Sequence, residues 1–248
     1  MKKILPLVAA SLAVCATPSL AQAQPEATAT ALSAEQSPHQ MLVEAFSPMS
    51  LHEITFTTAL AQLDEFYRDN PDFAAIDLKC PGFIDAIFDE ARPSMREFHF
   101  AEAGLVRDLL LEIFTEKFTV DQAREGVALY GSALGQKMVH LSGENQNLKN
   151  TMEAASEDED GDVDRRAFDR DSAATTARVM RSMSREEIMV FGEMAIATEF
   201  FPLLQKLLPE IQQRRFELLN SDVLAEENAA FAAALDRGMQ THLEQCGL

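Results

Sequence analysis

The sequence holds no tryptophan, two tyrosines and only three cysteines in 248 residues. It is not one of the small secreted chains stapled by many disulfides. Basic residues are scarce as well, with 21 Lys and Arg against 40 Asp and Glu, a formal charge of −19. That balance opposes unspecific attraction to nucleic acid or to an anionic membrane, and favours cations or basic partners. No stretch alternates apolar and polar residues for long enough to form a strand. The sequence also lacks an HExxH helix, a GxSxG elbow and a GxxxxGK[ST] phosphate loop. Its histidines, His39, His52, His99, His140 and His242, are scattered. Carboxylates are so abundant that spacing cannot single out a catalytic pair.

What the chain does have is helical patterning. The stretch from Phe118 to Met138 opens with Thr119 and Gln122 at capping-box spacing, with Asp121 in the first turn. Ala123, Val127, Tyr130 and Leu134 then share one helical face. Gly131 and Gly135 interrupt the run, and close packing of helices is the expected reason for them.

The series Leu129-Tyr130-Gly131-Ser132 followed by Gly135-Gln136-Lys137 resembles the F-Y-x-S-x-x-G-x-K hallmark of a bacterial exported family, domain of unknown function 2059. Pro81-Gly82-Phe83-Ile84-Asp85-Ala86, Ala91-Arg92-Pro93, Ala177-Arg178-Val179-Met180 and Leu208-Pro209-Glu210-Ile211 resemble its members too. Leu129 stands where that family has Phe. The resemblance implies an all-helical exported domain and carries over no catalytic residue.

A worn copy of the same unit restarts at Ser184, with Glu187 as capping partner. The offset that carries Thr119 onto Ser184 also carries Ala123 onto Ile188, Leu129 onto Met194 and Ser132 onto Ala197. The expected fold is all-α, a helical bundle built from two diverged helical halves. Further helix starts are expected at Ser50 with Glu53, at Pro81, at Pro209 and after Asn220-Ser221-Asp222. Asn70-Pro71 and Pro202 are expected to end or bend helices.

The expected organisation is a signal peptide over 1–23, a disordered leader over 24–38, a first helical half over 39–143, an acidic flexible linker over 144–171 and a second helical half over 172–248. Lys2 and Lys3, the apolar run Ile4 to Val14 and the small-x-small Ala21-Gln22-Ala23 predict export with cleavage before Gln24. Cys15 offers lipidation as the alternative. A periplasmic or secreted location follows, with no transmembrane segment once the signal is removed.

The linker contains Asp158, Asp160, Gly161, Asp162, Val163 and Asp164, an EF-hand-like spacing. Ser156 at loop position one and Ala167 at position twelve omit two principal carboxylates, and a solvated loop is expected instead. Arg178, Arg181 and Arg185 read as solvated surface, with a strip for an acidic partner as the alternative.

Cleavage removes Cys15 and leaves Cys80 and Cys246, which predicts one intramolecular disulfide. An intermolecular bridge or two free thiols are the alternatives. His242 lies one helical turn from Cys246 and would complete a three-ligand metal set with Cys80, but the disulfide accounts for both cysteines more simply. The sequence thus assigns no catalytic residue, no metal and no cofactor. It points to a non-catalytic interaction or scaffold module of the cell envelope with a protein partner. A carrier of a small apolar ligand and a hydrolase with an unrecognised site are the alternatives.

Overall fold

The computed structural model describes residues 36–158 and 163–247. The expected signal peptide, most of the leader and the centre of the acidic stretch lie outside the described residues. Among the described residues there is no strand, and the fold is all-α. No helix in this set is long and apolar enough to cross a membrane.

The spine is α4, Phe83–Lys117, 35 residues and about 52 Å at ~1.5 Å per residue. It runs unbroken through Pro93. An internal proline costs roughly 3 kcal/mol. Burial of Ala91 and Met95 on either side of it offsets that cost. Two apolar cores lie along this spine. The first gathers α1 (Pro38–Phe46), the C-terminal half of α4, α5 (Val120–Gly131), α6 (Ala133–Glu144), the end of α8 (Arg165–Ser182), α9 (Arg185–Ile196) and α10 (Phe200–Leu219). The second gathers α2 (Met49–Asp69), α3 (Pro71–Lys79), the N-terminal half of α4, the start of α7 (Lys149–Glu157) and α11 (Ala225–Gln245). Each core draws on residues from both expected halves, so packing does not divide the chain at the linker.

Helix α11 packs along α4. Gly238 permits this, because a Cβ there would lie 2.9 Å from Ile87 Cα and 3.2 Å from Ala86 O. A short 3-10 turn, Asp222–Leu224, leads into α11. The expected cap at Asn220-Ser221-Asp222 is not used for it. Asn220 instead exchanges hydrogen bonds with the backbone of Val163, accepting at 2.9 Å and donating at 3.2 Å.

The family-like series forms a corner rather than one helix. Ser132 is extended, at ψ 157, and caps α6, accepting from Gly135 N at 3.0 Å and donating to Leu129 O at 2.7 Å. A Cβ on Gly135 would sit 2.3 Å from Leu129 O, so only glycine fits there. Gly131 meets nothing within 4 Å, so its expected packing role is absent. Gln136 donates to Tyr130 O at 2.7 Å and to Ala45 O at 3.0 Å, tying the corner to α1. Tyr130 is buried among Phe46, Phe191 and Phe200. Lys137 pairs with Glu187 at 2.5 Å, across to the capping box of α9.

Helices α5 and α9 both have 12 residues and both begin with a full capping box, at Thr119 and Ser184. The likeness stops after them. Glu199 caps α10 with no side-chain bond, and Glu125 on α5 instead accepts from Glu199 N and Phe200 N at 2.8 and 3.0 Å. Pro202 falls in the first turn of α10, where a missing N–H costs little, and α10 continues through Pro209. Ser50 does not cap α2. Pro48 is the N-cap, and Ser50 lies inside the first turn.

The ends of the leader and the expected linker both need correction. Ser37 and Gln40 form a capping box that starts α1 at Pro38, so 37–38 are helix entry. The stretch 144–171 contains α7 and the first turns of α8, with Leu148, Met152, Val163 and Phe168 buried. The physical reason is Asp171, which is fully buried on α8. It accepts from Asn150 N (3.2 Å), Asn150 Nδ2 (2.7 Å), Thr151 N (2.8 Å) and Asn147 Nδ2. It thus caps α7 from another helix, where Leu148 provides no side-chain cap. Asp164 caps α8 through Ala167 N at 2.9 Å.

Candidate functional site

Between the two cores lies a buried polar seam. On α2 it contains His52 and Thr55, on α4 His99 and Glu102, and on α10 Arg215, all buried. Neighbours in sequence show why the seam falls there. Leu51 belongs to the first core and Phe56 to the second. On α4, Met95 belongs to the second and Val106 to the first. Glu102 stands on the apolar stripe that contains Phe98 and Val106, and Arg215 lies four residues from both Ile211 and Leu219. A charged residue set at helical spacing between apolar ones is the signal in the sequence for this site.

The hydrogen bonds fix the state of the imidazoles. His99 Nε2 lies 2.8 Å from His52 O. A carbonyl only accepts, so Nε2 carries the proton and Nδ1 is the bare, buried nitrogen, without a hydrogen-bond partner. Thr55 Oγ1 also donates to His52 O, at 3.1 Å. His52 Nε2 lies 3.0 Å from Ser47 Oγ, while Arg107 donates to Ser47 O and to Glu44 Oε2.

Burial dominates the protonation chemistry. It lowers His52 to about 4, helped by the positive fields of His99, Arg107 and Arg215. It lowers His99 to about 4, against the opposing hydrogen bond to the His52 backbone. It raises Glu102 to about 7, with the charge of Arg215 pulling the other way. Burial also lowers Arg215 to about 10, opposed by Glu102. Both carboxyl oxygens of Glu102, and Nε of Arg215, have no hydrogen-bond partner. Their attraction is a field across the interior rather than a direct pair.

Ser47 and His52 stand at the distance of a nucleophile and its base. Both are interior, however, at 1% and 8% exposed. An imidazole held near 4 is also a weak base at neutral pH. Burial thus shifts every titratable group of the seam toward its uncharged form, and both imidazoles are neutral at pH 7.

A second locus joins the ends of the fold. Cys80, at the C-cap of α3, is bridged to Cys246, at the C-cap of α11, with Cα atoms 5.7 Å apart. His242 on α11 lies beside them, its Nε2 3.3 Å from Pro81 O. Thus the structure brings His52 to His99, at 6.3 Å between ring centroids, and His242 to the cysteines. His39 instead donates to Phe118 O at 2.9 Å, and His140 is exposed. Arg181 and Arg185 are exposed and Arg178 half-buried.

Fold and site together define, among the described residues, a disulfide-closed, all-α protein whose two larger apolar cores are separated by a polar seam, with a smaller apolar cluster at Val163, Phe168 and Leu219. No family model matches the chain, and no curated protein or solved structure matches it at significant similarity.

Proposed function

We propose that the protein is a non-catalytic interaction or scaffold module of the bacterial cell envelope, exported to the periplasm or beyond and working through a protein partner. The observation that carries this reading is the state of its acid–base groups. His52, His99, Glu102 and Arg215 are interior, and burial shifts each toward its uncharged form. Such groups serve the fold. The Cys80–Cys246 bridge suits an oxidising compartment. The resemblance to the domain of unknown function 2059 family points the same way, as does the export-like N-terminus. The matched α5 and α9 support an origin by duplication of one helical unit. Chemical cross-linking in intact cells, followed by identification of what is joined to this chain, tests the proposal. A recurrent envelope protein is the expected result, and recovery of the uncross-linked chain alone would contradict it.

A carrier role is the second reading, favoured by Glu102 and Arg215. Their unpartnered interior atoms suit a small ligand with both donors and acceptors.

A further inference from the structure

We propose that Cys80, His242 and Cys246 form a redox-gated site for a thiophilic transition-metal ion of the zinc class. The site is closed while the cysteines are bridged and open once they are reduced. It goes beyond the scaffold reading and does not depend on it.

One ligand atom from each of the three residues lies within 4.8 Å of the other two. Zinc binds thiolate at about 2.3 Å and imidazole at about 2.0–2.1 Å, so its donors stand several ångströms apart around a tetrahedron. Opening the bridge to that spacing needs one sulfur to move. Cys80 is fixed, fully buried at the junction of α3 and α4. Cys246 is exposed on the last turn of the chain and followed by Gly247 at φ +71, so the movement falls there. His242 has the support that a metal ligand needs. Pro81 O accepts from one ring nitrogen at 3.3 Å, which orients the ring and leaves the other nitrogen for the ion. The two thiolates select a soft or borderline ion over calcium or magnesium. A fourth position remains for water or for a ligand supplied by a partner.

The chemistry balances with a dithiol reductant. It gives two electrons and two protons to the bridge, the S–S bond breaks, two thiols form, and the reductant closes its own disulfide. Metal binding then releases both thiol protons to solvent. The ion takes over the bridge's task of holding the end of α11 against the start of α4.

The test uses the processed protein, first with its bridge intact and then reduced with a phosphine and desalted without oxygen. Each is titrated with cobalt(II), whose thiolate charge-transfer and ligand-field bands report tetrahedral sulfur coordination. The reduced protein is expected to bind one equivalent, displaced by zinc, and the bridged protein none. His242→Ala is expected to weaken binding by more than about tenfold, the lower range for losing even an outer-sphere partner. Circular dichroism accompanies the titration. Where reduction loosens the fold, zinc is expected to restore helical signal or raise the melting temperature. Absence of a saturable one-to-one complex would overturn the proposal. So would affinity unchanged by His242→Ala, or zinc that leaves the reduced fold as it was.

Discussion

His99 donates from Nε2 to the backbone oxygen of His52 at 2.8 Å. That bond joins α4 to α2 inside the seam and commits His99 to one neutral tautomer. A second proton on Nδ1 would place a charge in the interior with no partner.

The pH dependence of stability follows. The histidines are lowered from 6.5 to about 4, so their contribution is complete above pH 6.5 and is lost as pH falls through 4. Glu102 is raised from 4.5 to about 7, so its contribution is complete below pH 4.5 and is lost as pH rises through 7. Between those limits two groups oppose one. Stability is expected to rise with pH by about 1.4 kcal/mol per unit from about pH 4.5 to 6.5. Glu102→Gln removes the opposing group and is expected to roughly double that slope. Urea melts at several pH values, for both proteins, check it. An unchanged slope in the variant would mean that Glu102 does not hold a proton in the folded state.

The corner at Ser132 separates two glycines. Gly135→Ala is expected to cost about 2 kcal/mol or more, because its Cβ would press into the Leu129 carbonyl in a backbone that cannot yield cheaply. Gly131→Ala, at the end of α5 with open space around it, is expected to be neutral or to stabilise by up to about 1 kcal/mol. Thermal unfolding of the two variants gives the comparison, and equal effects would contradict the corner as described.

Local signals were legible in the sequence and non-local ones were not. Thr119 with Gln122 and Ser184 with Glu187 announce helix starts, because a capping box is closed within four residues. Ser50 with Glu53 carries the same spacing and fails, because Pro48 is the N-cap and α2 begins at Met49, one residue before Ser50. Pro209 reads as a helix start, yet α10 is already under way at Phe200 and runs through it. The pairing of Cys80 with Cys246 followed from a count of cysteines once Cys15 was assigned to the expected signal peptide. The seam needed the crossing of α2, α4 and α10, which no single stretch records. Asp171 was hidden differently. It is one carboxylate in an acid-rich stretch that reads as solvated, and only the arrival of α7 at its side chain makes it a cap.

Asp171→Ala is expected to cost about 3 kcal/mol. It leaves donors on Asn147, Asn150 and Thr151 facing a site with no acceptor. Asp171→Asn keeps one acceptor and is expected to cost less. Hydrogen exchange at the amides of residues 150 and 151 reads the effect locally, with faster exchange in both variants.

Reduction of the Cys80–Cys246 bridge, without added metal, is expected to lower stability by at most about 5 kcal/mol, the chain-entropy figure for a separation of 166 residues. Denaturant melts with and without reductant measure it. The loss is expected to exchange first from the end of α11, which the bridge ties to the start of α4.

The most direct test of the envelope-scaffold account is native mass spectrometry of the protein isolated from its own cell envelope without reductant. The account predicts a chain beginning at Gln24, lighter by two hydrogens for one internal disulfide, and bound to a protein partner. A chain that retains residues 1–23, or one occupied stoichiometrically by a small molecule with no protein bound, would contradict it.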